Sequence, residues 1–314
     1  MRVAAIDCGT NSIRLLIADV ADGRLTDVHR EMSIVRLGEG VDATGTFAEA
    51  ALQRTRAALH EYAGLLAEHG VSTVRMVATS ATRDAANRDE FFAMTAEVLG
   101  AVVPGAVAEV ITGTEEAELS FRGAVGELDS AGAPFVVVDL GGGSTEVVVG
   151  TAAGVEASYS ANIGCVRLTE RCLASDPPTA TEIADARAVV RDALDAVFDV
   201  VPVERAKTWV GVAGTMTTLS ALAMNLPAYD SEAIHLSRVG FGDLLKVCEG
   251  LLGMTRRQRA ALGPMHEGRV DVIGGGAIVV EELARALGGR AGIEELVVSE
   301  HDILDGIALS IAGS

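Results

Sequence analysis

The chain has 314 residues, of which 49% are hydrophobic and 22% are charged, so we expect two domains with sizeable cores rather than a disordered chain. Its net charge of −19 argues against a broad basic face for nucleic acid, and an anionic ligand would need a local cluster of donors. The four cysteines show neither metal nor disulfide spacing, and no signal peptide or membrane span is evident, so a cytoplasmic protein is expected.

The first half of the chain reads as three strands followed by alternating helices and strands. Apolar residues that alternate along short runs predict strands, and apolar residues at helical spacing predict helices. The predicted elements are strands at 3–8, 12–20 and 25–36, a helix at 47–70, a strand at 74–81, a helix at 88–100, a strand at 107–111 and a helix at 114–128.

The same pattern restarts at residue 135. A strand, the turn GGGSTE and two further strands are followed by predicted helices at 181–200, 214–225, 242–252 and 276–287. VGVAGT (210–215) and VDVIGGGA (270–277) each predict a strand that runs into a glycine turn, and residues 296–313 predict a strand and a closing helix. This order predicts an α/β protein with mixed sheets.

Two predicted hairpins share an aspartate, a glycine and a serine at the same spacing. When VAAIDCGTNSIRLLIA is laid over FVVVDLGGGSTEVVVG, the offset is 132 residues, and the matched pairs are Asp7 with Asp139, Gly9 with Gly141, and Ser12 with Ser144. The period is far too long for a solenoid, so it predicts duplication of a whole domain.

Glycine-rich turns bind phosphate in several ways, and two of these do not fit. A P-loop needs a lysine after its last glycine, and the chain has no Gly-Lys pair. A dinucleotide-binding turn opens into a helix, whereas GGGSTE opens into a β-branched run. Two hairpin turns could still hold a phosphoryl group through backbone N–H groups, one from each domain. Asp7 and Asp139 would then repel phosphate unless a cation lay between, and Mg²⁺ fits that role. The alternative is a pair of ordinary turns in which Asp caps backbone amides.

Several motifs in the correct order resemble one family. The chain is similar to the exopolyphosphatase and guanosine pentaphosphate phosphohydrolase family, within the actin, sugar kinase and acetate kinase superfamily. The segments that carry this resemblance are DCGTNSIRLLIADV (7–20), ATSATRDAANRDEF (78–91), ITGTEEAELSF (111–121), VVVDLGGGSTEVVVG (136–150), IGCVRLTE (163–170), GVAGTMTTLSAL (211–222), YDSEAIH (229–235) and GRVDVIGGGAIVVEEL (268–283).

The resemblance implies a fold, an activity and partners. The implied fold is the short form of the family, with two duplicated ribonuclease H-like (actin-like ATPase) domains around a central cleft, at 1–127 with 300–314 and at 128–299. The implied activity is hydrolysis of the terminal phosphoanhydride of inorganic polyphosphate, with Mg²⁺ or alternatively Mn²⁺. Guanosine pentaphosphate, a nucleotide of the stringent response, is the alternative substrate. A homodimer without nucleic-acid or membrane partners is implied as well.

The resemblance also implies roles for individual residues. Glu116 matches the catalytic glutamate, which would orient the attacking water. Asp139 and Glu146 would hold the metal, with Asp7 helping through water. The phosphate-binding set is Thr10, Asn11, Ser12, Arg14, Arg83, Gly141, Gly142, Gly143, Ser144 and Arg269, with Asn87 as a possible addition.

Other interpretations of single residues stay open. Glu115 and Glu116 could be ordinary acids of a first helical turn, and Glu146 could face solvent. Arg269 could form a structural ion pair with Asp271 or Glu267. His235 is interpreted as structural, and the run TRRQR (255–259) as a solvated helix face.

Two other classes of function compete with hydrolysis. A kinase of the same superfamily would transfer phosphate to an acceptor, but the short offset between the hairpins leaves little room for an acceptor pocket. The other is a non-catalytic polyphosphate or nucleotide sensor, and Glu116 in GTEEA argues for catalysis over it.

Overall fold

The computed structural model describes residues 1–312 and divides them into two compact units. Unit 1 comprises residues 1–123 with the chain from Ile303 onward, and unit 2 comprises Ala124–Asp302. The expected closing helix to residue 313, and the expected end of the N-terminal domain at 314, extend past the described residues.

Unit 1 is a five-stranded mixed sheet with helices on both faces. Its elements are β1 (Arg2–Cys8), β2 (Ser12–Ala21), β3 (Arg24–Ile34), α1 (Val41–Thr44), α2 (Glu49–Glu68), β4 (Val74–Ala78), α3 (Ser80–Asp84), α4 (Arg88–Gly100), β5 (Ala108–Val110) and α5 (Gly113–Ala124). The strand order is β3-β2-β1-β4-β5, in which β3, β2 and β1 pair antiparallel and β1, β4 and β5 pair parallel.

Unit 2 repeats this strand order and extends it. Its elements are β6 (Phe135–Leu140), β7 (Thr145–Thr151), β8 (Gly154–Ala161), α6 (Cys165–Cys172), α7 (Ala180–Phe198), β9 (Thr208–Val212), α8 (Ala213–Ala223), α9 (Ser231–Ile234), β10 (Arg238–Gly240), α10 (Phe241–Gly253), α11 (Arg256–Ala260), α12 (Ile273–Ala291) and β11 (Glu295–Val298). The order β8-β7-β6-β9-β11 matches that of unit 1, and β10 adds an antiparallel edge. The last helix, α13 (Ile303–Ala312), belongs to unit 1.

Strand β1 shows how the sheet of unit 1 orients the first aspartate. Both faces of the sheet are covered, so the strand is buried along most of its length. Ala4, Ile6 and Cys8 pack in the same core cluster as residues of α2, whereas Val3 and Ala5 pack in the cluster of α13. Because side chains alternate along a strand, Asp7 lies on the face of Val3 and Ala5.

The expected α/β class with two mixed sheets is confirmed, but the local prediction for residues 270–277 is wrong. VDVIGGGA does not form a strand and glycine turn, because α12 begins at Ile273 and takes in all three glycines. A Cβ at Gly275 would lie 2.5 Å from Thr169 Oγ1, and one at Gly276 would lie 2.6 Å from Thr215 Cγ2. These glycines therefore allow α12 to pack closely against α6 and α8, and turn formation is not their role.

Several short elements were not predicted from the sequence, and α6 and β10 are two of them. Helix α6 has only eight residues, and β10 has three. Among residues 1–312, no helix is both long enough and apolar enough to cross a membrane.

Candidate functional site

The first hairpin turn is held by a neighbouring segment of unit 1. Gly9 N–H donates to the carbonyl of Ser12 at 3.0 Å, which closes the turn. The carbonyl of Thr10 accepts from Gly38 N at 2.9 Å, and that of Asn11 accepts from the amides of residues 35 and 36. The carbonyls of this turn are therefore occupied by protein, and the predicted phosphate-binding residues Thr10, Asn11 and Ser12 are fixed in place.

Asp7 and Arg14 form an ion pair across β1 and β2. They are Cα partners in the antiparallel ladder. Asp7 Oδ2 accepts from Arg14 Nε at 3.0 Å and from Arg14 Nη2 at 2.7 Å. The guanidinium thus neutralises the carboxylate that was expected to help hold a metal.

Glu116 is a buried carboxylate on the first turn of α5. It is only 7% exposed, and its Oε2 accepts from Arg83 Nη1 at 2.7 Å. The same nitrogen donates to the carbonyl of Ile111 at 3.1 Å. Burial raises the pKa of Glu116 to about 7, although Arg83 opposes the rise, and the charge of Asp7 adds to it. A carboxylate with a pKa near neutrality is suited to accept a proton from water.

The predicted residues of unit 1 therefore converge. Asp7, Arg14, Arg83 and Glu116 form one electrostatically linked group next to the first hairpin turn. Asn87 has another role, because its side-chain amide bonds to both N–H and C=O of Phe47, at 2.8 and 3.2 Å. It anchors the segment that follows Arg83 instead of facing a ligand.

The second hairpin turn is built like the first. Gly141 N–H donates to the carbonyl of Ser144 at 3.1 Å, as Gly9 does to Ser12. The carbonyls of Gly141 and Gly142 accept from the first amides of α6, at Cys165 (3.0 Å), Val166 (2.9 Å) and Arg167 (3.1 Å).

Helix α6 packs closely against the turn and occupies its carbonyls, whereas the amides of Gly142 and Gly143 can serve a ligand. A Cβ on Gly164 would lie 2.4 Å from Gly142 O, so only glycine fits there. Among the described residues, the N–H groups of Gly142 and Gly143 donate to no backbone carbonyl. They are therefore able to donate to phosphate oxygens.

Asp139 and Glu146 place two carboxylates directly opposite each other on β6 and β7. They are Cα partners, only 7% and 1% exposed, and they lie on the face opposite the core valines 136, 138, 147 and 149. Glu146 does not face solvent, and its Oε1 accepts from Ser160 Oγ at 2.7 Å.

This pair fits a divalent cation. Like charges directly opposite in a ladder are destabilising, and burial makes the repulsion stronger. The duplicated position in unit 1 holds Arg14 instead of a glutamate, which removes the repulsion there. Mg²⁺ prefers one or two carboxylates together with water and phosphate oxygens. The strand register therefore sets Asp139 and Glu146 beside each other as two carboxylates, and Asp7 beside a guanidinium.

Arg269 lies beside the first turn of α8. A Cβ on Gly214 would come within 2.2 Å of its Nη2, and its Nη1 is 3.5 Å from Thr218 Oγ1. Ala213, where the helix begins, has φ of 71°, a conformation that is strained for a residue with a Cβ. A guanidinium next to a helix N-terminus favours an anion at this place.

Sequence reasoning missed some supporting groups. Thr79 forms a hydrogen bond that lowers the pKa of Glu116, and it could have been noted because it belongs to the motif TSATR. The amides of α6 carried no signal, since backbone groups are invisible in a sequence. Arg259 in TRRQR is not solvated; it is 3% exposed and donates to the carbonyls of Leu251, Met254 and Val270.

Comparison with known proteins places the chain among phosphatases. Residues 16–311 match the model of the Ppx/GppA phosphatase family. The chain belongs to this family. Exopolyphosphatase 2 of Mycobacterium tuberculosis is 72% identical over 316 aligned positions that cover 99% of both chains.

Solved structures support the same placement. An exopolyphosphatase-like protein is 45% identical, with a TM-score of 0.93 over 98% of both chains. The PPX-GPPA enzyme of Aquifex aeolicus is 32% identical, with a TM-score of 0.79 over 99% of both chains. The fold is thus the two-domain actin-like ATPase fold of the family, as expected from the hairpin motifs.

Proposed function

We propose that the protein is an exopolyphosphatase, which releases phosphate from the end of inorganic polyphosphate. The observation that carries the proposal is Glu116, a buried carboxylate with a pKa of about 7 that is bonded to Arg83. The identity of 72% to an exopolyphosphatase along nearly the whole chain supports it.

Each unit has its own part in the proposed reaction. In unit 1, ionised Glu116 accepts the proton of the attacking water, and Arg83 holds the carboxylate in position. In unit 2, the amides of Gly142 and Gly143, the hydroxyl of Ser144 and the guanidinium of Arg269 donate to phosphate oxygens.

Asp139 and Glu146 would hold Mg²⁺, or alternatively Mn²⁺, in the proposed enzyme. When bound, the cation would supply charge neutralisation to the phosphate oxygens. Asp7 takes no direct part in metal binding in this proposal, because it pairs with Arg14 at 2.7 Å, and its charge helps to raise the pKa of Glu116. A cytoplasmic homodimer is part of the same proposal and rests on the family resemblance.

Phosphate release from four substrates tests the proposal. Long polyphosphate, short polyphosphate, guanosine pentaphosphate and ATP are compared with Mg²⁺ present and no acceptor, in the wild type and in Glu116→Gln. Glu115→Gln is the matched control, because Glu115 is the adjacent residue and pairs with Arg75 at 2.6 Å.

The outcomes separate the candidate functions. We expect polyphosphate to be cleaved fastest by the wild type and by Glu115→Gln, with loss in Glu116→Gln. Faster release from guanosine pentaphosphate would make the family's other activity the principal one. No release from any substrate, or release only with an acceptor, would refute hydrolysis and favour a sensor or a kinase.

A further inference from the structure

Three metal-ligating side chains converge in unit 2, and the proposed hydrolysis uses none of them. Glu127 follows α5, His235 follows α9, and His301 lies between β11 and α13. One potential ligand atom of each lies within 4.8 Å of the others. We propose that Glu127, His235 and His301 bind one divalent transition metal ion of the zinc type.

The distances between these groups are close to those of a metal site. Glu127 Oε2 lies 3.0 Å from His235 Nε2, and Glu127 Oε1 lies 3.8 Å from His301 Nε2. Neighbouring ligands of a tetrahedral zinc ion lie about 3.3 Å apart, given zinc–nitrogen bonds of about 2.0–2.1 Å. Small side-chain rotations would therefore bring the three atoms onto one ion.

The donor set selects the class of metal. Two imidazoles and one carboxylate suit Zn²⁺, Co²⁺ and similar ions, whereas Mg²⁺ takes oxygen ligands. Glu300 is adjacent in sequence, but it is not one of the three grouped side chains and its Oε1 accepts from Tyr229 OH at 2.6 Å, so we expect water to complete the coordination. This metal would differ in kind from the one expected at Asp139 and Glu146.

One hydrogen bond opposes metal binding and limits its strength. Glu300 N–H donates to His235 Nδ1 at 3.2 Å, so in the metal-free protein the ring proton is on Nε2 and faces Glu127. Binding through Nε2 moves that proton to Nδ1 and breaks the bond from Glu300. We therefore expect a weaker site than the closed, four-ligand sites of structural zinc.

The positions of Glu127, His235 and His301 along the chain determine which segments a bound metal ion would restrain. The chain passes from unit 1 to unit 2 after Gly123 and returns after Asp302. Glu127 and His301 lie within a few residues of these two boundaries, and His235 comes from the middle of the unit 2 sequence. A bound ion would tie both connecting segments to His235 and slow amide hydrogen exchange in them.

Cobalt binding to the full-length protein tests the inference. Co²⁺ is titrated in the presence of excess Mg²⁺, the visible absorption is recorded, and Zn²⁺ is then added as competitor. We expect one equivalent of Co²⁺ to bind and to be displaced by Zn²⁺. His235→Ala and His301→Ala should each weaken binding by roughly 100-fold, since each removes one of only three ligands.

Controls exclude misfolding and the other metal site. Glu127→Gln removes the ligand whose side chain is 61% exposed, so the fold should tolerate it, and it should weaken binding as well. His29→Ala breaks a histidine–glutamate pair of the same 3.0 Å length and should bind like the wild type. Absence of the cobalt spectrum in the wild type would overturn the proposal. Loss of the spectrum in Asp139→Asn but not in His301→Ala would also overturn it.

Discussion

Replacing Glu116 by glutamine should stabilise unit 1, and by more at alkaline than at acid pH. Burial raises the pKa of this carboxyl from 4.5 to about 7, so folding favours its neutral form. The stability that neutral Glu116 contributes is complete below its unfolded pKa and is lost as the pH rises through about 7. Glutamine is neutral at every pH, so the variant does not lose this contribution to stability as the pH rises.

The size of the effect follows from that difference in pKa. From 4.5 to about 7 is about 2.5 pH units, and at 1.36 kcal/mol each this gives at most about 3 kcal/mol. The glutamine amide oxygen can still accept from Arg83, so loss of the 2.7 Å contact should subtract little.

Amide hydrogen exchange in β1 and β2 measures this effect where it occurs. The protein's one tryptophan, Trp209, lies in unit 2, so its fluorescence is not a reporter of unit 1. Glu116→Gln is compared with the wild type at about pH 5 and about pH 8, and Glu115→Gln serves as the control for removing a neighbouring glutamate. A gain in protection that is equal at both pH values, or larger at pH 5, would refute the reasoning.

Three further substitutions test other parts of the site. Arg83→Gln removes the cation that lowers the pKa of Glu116, so the acid limb of the pH–rate profile should move to higher pH and KM for polyphosphate should rise. Glu146→Gln removes one of two opposed carboxylates, so stabilisation of unit 2 by Mg²⁺ should shrink. Gly164→Ala places a Cβ 2.4 Å from Gly142 O, which should cost roughly 1–3 kcal/mol and lower phosphate affinity.

Each of these has a readout that can contradict it. An unchanged acid limb in Arg83→Gln would separate Arg83 from the ionisation of Glu116. Trp209 fluorescence reports the melting of unit 2, and an equal Mg²⁺ shift in Glu146→Gln and in the control Glu156→Gln would remove Glu146 from the metal site. Gly242→Ala, where a Cβ meets nothing within 4 Å, should behave as wild type, and Gly164→Ala should not.

The hairpins were predictable because their signals are local. Alternating apolar runs and a glycine-rich turn define β1 with β2 and β6 with β7, and the repeated Asp-x-Gly pattern shows the duplication. The contrast between Arg14 and Glu146 is also present in the sequence, seven residues beyond each aspartate. Only the strand register shows why the contrast matters, because it pairs Arg14 with Asp7 and Glu146 with Asp139.

The failures came from residues whose role depends on distant packing. Glycines 274–276 follow an apolar run and resemble a turn, but they lie in α12, where Gly275 and Gly276 leave no space for a Cβ beside α6 and α8. Arg259 belongs to a charged run, yet three carbonyls from elsewhere in unit 2 bury it. Glu127, His235 and His301 are far apart in sequence, and no local pattern links them.

Single-turnover hydrolysis of polyphosphate by Glu116→Gln tests the central claim most directly. If Glu116 accepts the proton of the attacking water, the variant should release phosphate roughly 10²–10⁴-fold more slowly while binding polyphosphate as the wild type does. The wild-type rate should also fall as the pH drops below about 7, where Glu116 becomes protonated. Release by Glu116→Gln within a few-fold of the wild type would contradict the account.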